Sequence, residues 1–108
     1  MELRDLGITD RNTLSSIEKI PREIFISKNL KDQAYENIAL PIGFNQTISQ
    51  PLIVALMTQN LELNKKYKVL ELGTGCGYQT AILSKLSRRV YTIERIKELL
   101  DIAEKNLN

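Results

Sequence analysis

The sequence predicts an α/β fold, in which a helical N-terminal segment precedes the first strand–helix–strand–helix unit of a doubly wound sheet. A short apolar run at residues 69–72 breaks into alternating glycines between positions 73 and 77, a pattern typical of a tight loop after a buried parallel strand. Two segments with helical spacing follow, separated by a second short strand. We therefore expect an N-terminal part at residues 1–63 and the beginning of the sheet domain at residues 64–108.

The N-terminal part is predicted to begin with a short helix. Thr9 or Asp10 can cap it, Leu14 and Ile17 form its apolar side, and Pro21 interrupts it.

An uncharged stretch at residues 39–51, with two prolines and one glycine, predicts a loop that ends at a second helix. Pro51 suits the first helical position, with Ser49 or Gln50 as the cap. On this local pattern alone, Ser49 is a helix cap. We expect the helix to reach about Leu61 and to bury the apolar residues Leu52, Ile53, Leu56 and Met57.

The C-terminal part predicts alternating strands and helices. Residues 69–72 form a strand buried on both faces, and residues 89–93 form a second strand. Residues 79–86 between them form a helix with Ile82, Leu83 and Leu86 on one face. The last helix has its apolar residues at helical spacing, namely Ile96, Leu99, Leu100, Ala103 and Leu107.

The glycine loop predicts a nucleoside cofactor site. Gly73, Gly75 and Gly77 allow positive φ and remove every Cβ where a ligand comes close. The loop lies at a helix N-terminus, whose unpaired amides attract carboxylates and phosphates. Glu94 follows Gly77 by seventeen residues and ends the second strand, where an acid commonly binds the two ribose hydroxyls.

The third glycine distinguishes two cofactor classes. A dinucleotide fingerprint requires glycine at position 78, which is Tyr78 here. The alternating glycines with Glu71 two residues upstream instead resemble the first motif of class I S-adenosylmethionine-dependent methyltransferases, so this cofactor is favoured over NAD. A glycine-rich turn without a ligand is the remaining alternative, and the well-placed acid argues against it.

Composition excludes several function classes. The chain has 15 basic and 13 acidic residues and no histidine, which argues against a nucleic-acid surface and excludes a serine–histidine nucleophile. The sequence predicts no metal site. A single cysteine and a longest apolar run of six residues, at positions 52–57, fit a cytoplasmic protein without a signal peptide or membrane span.

Four motifs resemble the protein-L-isoaspartate O-methyltransferase family. They are IPREIF at residues 20–25, ALPIGFNQTISQP at 39–51, LELGTGCGYQ at 70–79 and YTIERI at 91–96. The resemblance extends over about residues 14–108, and the QTISQP element is nearly specific to the family. It implies a Rossmann-like methyltransferase sheet.

The resemblance implies a protein repair activity. The family transfers a methyl group from S-adenosylmethionine to the α-carboxylate of L-isoaspartyl residues in damaged proteins and peptides. Ser49 matches the active-site serine, as a hydrogen-bond donor that orients the substrate carboxylate or the cofactor near the methyl group. The implied cofactor residues are Gln46, Thr47, Ile48 and Ser49 as a closing segment, Gly73, Thr74, Gly75 and Gly77 around the methionyl part, Glu71 near its amino group, and Glu94 on the ribose.

The resemblance covers only the N-terminal half of such an enzyme, so we expect an incomplete sheet. Three hypotheses follow from this. The chain is a piece of an isoaspartyl methyltransferase, or a non-catalytic cofactor-binding remnant or partner-dependent module, or a methyltransferase that acts on RNA or a small molecule. The incomplete sheet would also allow self-association or contact with a partner.

Overall fold

The computed structural model of the protein describes residues 3–108. Its helices and strands in chain order are α1 (Arg11–Lys19), β1 (Leu40–Gly43), β2 (Gln46–Ile48), α2 (Pro51–Asn60), β3 (Lys68–Leu72), α3 (Tyr78–Leu86), β4 (Arg89–Ile93) and α4 (Lys97–Leu107). Short 3-10 turns lie at Leu3–Leu6, Arg22–Phe25 and Lys28–Gln33.

Helix α1 begins and ends as the sequence predicts. The Asp10 carboxylate accepts the Thr13 amide at 3.1 Å, which caps the first turn. The helix ends just before Pro21. Ser16 donates to the carbonyl of Ile82 at 3.0 Å, and this buried bond fixes α1 against α3.

The uncharged stretch before α2 forms a hairpin, so the prediction of a loop there was wrong. Strands β1 and β2 pair antiparallel, with Leu40 opposite Ile48. Phe44 and Asn45 form the turn and both have a φ of 58°, a left-handed conformation that matches the twist of a tight hairpin. A proline and a glycine within β1 hide the alternating pattern by which a strand is recognised.

Helix α2 begins at Pro51, as predicted, and the predicted residues Leu52 and Leu56 are partly buried in a core cluster. Its buried residues include Val54, Ala55 and Thr58, whereas Ile53 and Met57 are exposed, contrary to expectation. The helix is apolar nearly all round, so helical spacing could not select the side that faces the core.

Strands β3 and β4 pair in parallel, from Lys68 opposite Arg89 to Leu72 opposite Ile93. Helix α3 connects them and α4 follows. The predicted α/β fold, with its first strand–helix–strand–helix unit, is therefore confirmed. The sheet of β3 and β4 has two strands among the described residues.

One face of this sheet is exposed. Leu70 and Leu72 are 62% and 77% exposed, and Tyr91 and Ile93 beside them are 48% and 56% exposed. The expectation that β3 is buried on both faces was wrong, because α3 covers only the opposite face within residues 3–108. We call these four residues the open face.

A buried cluster joins the N-terminal part to the sheet part. It includes Phe25, Leu40 and Ile48 on one side and Tyr78 and Ile82 on the other. This packing places the end of the hairpin against the glycine loop. Among residues 3–108, no helix is both long and apolar enough to cross a bilayer.

Candidate cofactor loop and active site

The glycines of the loop serve different purposes. Gly73, Gly75 and Gly77 have φ values of 95°, 56° and 95°, which glycine adopts without strain. A Cβ at Gly73 would meet nothing within 4 Å, whereas one at Gly77 would lie 3.2 Å from Leu107 of α4. Gly73 therefore leaves space open to a ligand, and Gly77 allows α4 to pack closely.

Most of the loop amides are used within the chain. Four of them donate to backbone carbonyls or to a carboxylate, namely Gly73 and Thr74 to Ile93, Gly75 to Glu94, and Gly77 to Thr74. None of these four amides belongs to the first turn of α3, where the sequence predicts unpaired amides. These four amides are therefore not available to a phosphate group, which is compatible with a nucleoside cofactor that carries none.

Glu94 ties the loop to the end of β4. Its Oε1 accepts the Gly75 amide at 2.9 Å, and its Oε2 accepts the Ile96 amide at 3.0 Å. These backbone bonds, that of Ile96 first, lower the pKa of Glu94, so the group is a carboxylate at neutral pH. Each oxygen keeps further lone pairs that could accept hydroxyl groups.

Glu71 lies beneath the loop, facing α3. The hydroxyl groups of Thr80 and Thr92 both donate to its Oε1. Burial raises the pKa of Glu71, and these two hydrogen bonds oppose the rise. Thr74 continues the network, with its Oγ1 2.6 Å from that of Thr92. Glu71 therefore supports the loop from within.

A cavity of about 70 Å³ lies between β2 and the loop. It is lined by Thr47, Ile48, Ser49, Val54, Gly73, Thr74, Gly75, Cys76, Tyr78 and Gln79. The structure thus brings the predicted serine segment and the first two glycines together. The other predicted site residues do not line this cavity, namely Gln46, Glu71, Gly77 and Glu94.

Ser49 lies at the cavity, but it does not cap α2. The cap position belongs to Gln50, which makes no side-chain cap bond. Instead, Oδ1 of Asn37 accepts the Leu52 amide at 2.9 Å. Within residues 3–108 the Ser49 hydroxyl has no hydrogen-bond partner, and the residue is exposed. Its hydroxyl is available to a ligand.

Sequence reasoning missed several residues that build this site. Arg22 is buried and donates to the Ser49 carbonyl, Asn37 caps α2, and Gln79 donates to Thr58 at 2.9 Å. Tyr78 lines the cavity, and burial raises its pKa to about 12. The one sequence signal for Arg22 and Tyr78 was their place in matched motifs.

The described residues contain no group of three or more acidic, cysteine or histidine side chains that could hold a metal ion.

The similar proteins are about twice as long as this chain. A protein-L-isoaspartate O-methyltransferase of Rhodospirillum rubrum is 61% identical over 107 residues, which are 99% of this chain and 49% of that protein. One of Dictyoglomus thermophilum is 57% identical over 105 residues, covering 97% and 48%. The chain therefore spans about half the length of the curated relatives it matches.

Solved structures give the same result. A protein-L-isoaspartate O-methyltransferase structure superposes with a TM-score of 0.85 at 31% identity, covering 97% of this chain and 35% of that one. A Plasmodium falciparum structure described under the same activity, in complex with S-adenosyl-L-homocysteine, superposes with a TM-score of 0.84 at 25% identity. The match covers 98% of this chain and 51% of that one.

The family model for protein-L-isoaspartate(D-aspartate) O-methyltransferase matches residues 1–108. The resemblance in the four motifs, the parallel strand pair with its glycine loop and the serine beside that loop all agree with this match. The chain belongs to the protein-L-isoaspartate(D-aspartate) O-methyltransferase family.

Proposed function

We propose that this chain supplies the cofactor loop and the active-site serine of a protein repair methyltransferase. The enzyme moves a methyl group from S-adenosylmethionine to the α-carboxylate of L-isoaspartyl residues in damaged proteins. The family match over residues 1–108 carries this proposal, and the meeting of Ser49 with the glycine loop around one cavity supports it.

The cofactor is proposed to lie over Gly73 and Gly75, with its ribose at Glu94. The open space at Gly73 and the ionised carboxylate of Glu94 fit a nucleoside ligand. Residues 46–49 form the closing segment. Glu71 and Gly77 act through the loop, the first by the threonine network beneath it and the second by the packing of α4.

The proposed reaction requires little acid–base chemistry from the protein. S-adenosylmethionine supplies an electrophilic methyl group, and the substrate carboxylate is already ionised at neutral pH. The chain accordingly manages without histidine. The Ser49 hydroxyl donates to the substrate carboxylate and fixes its approach, so the acceleration comes from orientation.

The proposed substrates are proteins and peptides that contain isoaspartyl residues, and the proposed location is the cytoplasm. The free thiol of Cys76, the one cysteine of the chain, supports a reducing compartment. Self-association through the open face is proposed as a further property, because large apolar patches commonly mark interfaces.

Methyl transfer to a matched peptide pair tests the function. The chain is mixed with a polypeptide that matches the second half of the Rhodospirillum rubrum relative, and labelled S-adenosylmethionine is added. We expect label in an isoaspartyl peptide and none in its aspartyl twin. Equal labelling of both peptides would point to another substrate. Binding of S-adenosylhomocysteine without any transfer would favour the non-catalytic remnant.

A pair of glycine variants tests the cofactor assignment. Gly73 and Gly7 both have positive φ, and a Cβ at either would meet nothing within 4 Å, so Gly73→Ala and Gly7→Ala carry the same backbone strain. We expect only Gly73→Ala to lower the affinity for S-adenosylhomocysteine by calorimetry, because its methyl group enters ligand space. An equal change in both variants would refute the loop as the cofactor site.

A further inference from the structure

The side chain of Arg22 is buried among backbone carbonyls instead of carboxylates. Arg22 is 1% exposed. Its Nη1 donates to the carbonyl oxygens of Ala34 at 2.6 Å and Glu36 at 3.4 Å, and its Nη2 to those of Ile38 at 2.8 Å and Ser49 at 3.3 Å. A buried cation is costly to desolvate, and these four hydrogen bonds offset part of that cost, although Nε has no partner among the described residues.

Two of these carbonyls, those of Ile38 and Ser49, lie at the open end of the β1–β2 hairpin. Leu40 pairs with Ile48 at this end, Ile38 lies two residues before the pair, and Ser49 follows it directly. The guanidinium therefore joins the two chain segments that enter and leave the hairpin. Its donors form a rigid planar fork, which can reach separate carbonyls in a way that a lysine ammonium cannot.

The 3-10 turn that carries Arg22 also contacts the glycine loop. Phe25 at the end of this turn packs against Tyr78 with ring centroids 5.5 Å apart, in an edge-to-face arrangement. Tyr78 is the first residue of α3 and follows Gly77 directly. One short turn thus holds the serine side of the cavity through Arg22 and the loop side through Phe25.

We propose that Arg22 is a positioning residue that fixes the backbone of Ser49, and with it the Ser49 hydroxyl, opposite the glycine loop. The catalytic consequence rests on the proposed function, whereas the structural part does not. We call the four hydrogen bonds of Arg22 to backbone carbonyls the clamp. Its loss releases the hairpin end, while the glycine loop keeps its own hydrogen bonds to Ile93 and Glu94. Cofactor affinity should then change less than turnover.

Amide hydrogen exchange of the 108-residue chain tests the clamp directly. In Arg22→Lys we expect exchange at residues 46–52 to accelerate about tenfold more than in α3. Ser16→Ala is the control, because it loses the buried bond to the Ile82 carbonyl and leaves the hairpin contacts intact. Uniform acceleration in Arg22→Lys, or the same pattern in the control, would overturn the proposal.

Turnover in the methyl-transfer assay with the added second-half polypeptide, which we call the complemented assay, tests the catalytic consequence of losing the Arg22 contacts. We expect kcat for the isoaspartyl peptide to fall about a hundredfold in Arg22→Lys, with a much smaller change in KM for S-adenosylmethionine and with kcat nearly unchanged in Ser16→Ala. Equal losses of kcat in both variants would mean that Arg22 only stabilises the fold. If the unmodified chain transfers no methyl group, the proposed function fails, and the exchange result still decides the clamp.

A second variant keeps the test decisive if Arg22→Lys does not fold. Arg22→Gln removes the buried charge and keeps a planar donor, so it should fold and show the same local exchange at residues 46–52. Failure of both variants to fold, with Ser16→Ala folded, would make Arg22 a determinant of the whole fold and overturn its local role.

Discussion

Gly77 illustrates how a single residue can be required by packing when its motif suggests a ligand. Its φ of 95° matches the 103° of Gly7, but a Cβ at Gly77 would also meet Leu107 and Ala103 of α4. We expect Gly7→Ala to lower the free energy of unfolding by about 1 kcal/mol from backbone strain. Gly77→Ala should lose about 1 kcal/mol more from overpacking, because Leu107 is 40% exposed and can give way in part. Urea unfolding measures both, and equal losses would contradict the packing role.

The two acids of the site should give opposite pH dependences of stability. The pKa of Glu71 is raised from its usual 4.5 by burial, so its contribution is full below that value and is lost as pH rises through the raised pKa. The pKa of Glu94 is lowered from 4.5 by its bonds to the amides of Ile96 and Gly75. Its contribution is present above 4.5 and is lost as pH falls through the lowered pKa.

Glu71→Gln and Glu94→Gln make this pH prediction measurable. As pH rises through these ranges, the stability advantage of the unmodified chain should shrink relative to Glu71→Gln and grow relative to Glu94→Gln. Denaturant midpoints across the acid range provide the test. If the denaturant midpoints of the two variants change with pH in parallel, neither carboxylate has the assigned environment.

At the scale of elements, α2 takes its cap from a distant residue. The Asn37 side chain accepts the Leu52 amide, so Asn37→Ala should lower the free energy of unfolding by about 1 kcal/mol. Ser49→Ala, at the position favoured as a cap by local pattern, should leave stability unchanged and lower methyl transfer in the complemented assay. A stability loss in Ser49→Ala would restore the cap interpretation.

The elements differ in how well the sequence could predict them. The bounds of β4 and the start of α1 after the Asp10 cap were predictable because each depends on local spacing or on a cap within three residues. The hairpin was not, because its turn residues Phe44 and Asn45 resemble neither of the common glycine turns. The fixing of Ser49 by Arg22 is a contact across the fold, which no local pattern reveals.

At the scale of the whole molecule, the open face is the main departure from a closed globular surface. Leu72 lies opposite Ile93 on this face, and both are more than half exposed. We expect the chain to self-associate with rising concentration and the double variant Leu72→Lys with Ile93→Lys to do so much less. Met57→Lys is the control, because Met57 is equally exposed on α2. Sedimentation velocity distinguishes these outcomes, and a monomeric unmodified chain at all concentrations would contradict the expectation.

The thiol of Cys76 can report on the opening of the glycine loop. It is the one cysteine of the chain, it is buried in the wall of the cavity, and its carbonyl accepts a hydrogen bond from Asn106 of α4 at 3.0 Å. Burial also raises the pKa of its thiol, which suppresses reaction with thiol reagents. Labelling therefore requires a local opening around Cys76, so its rate measures how often this part of the site opens, and a ligand that closes the site would slow it.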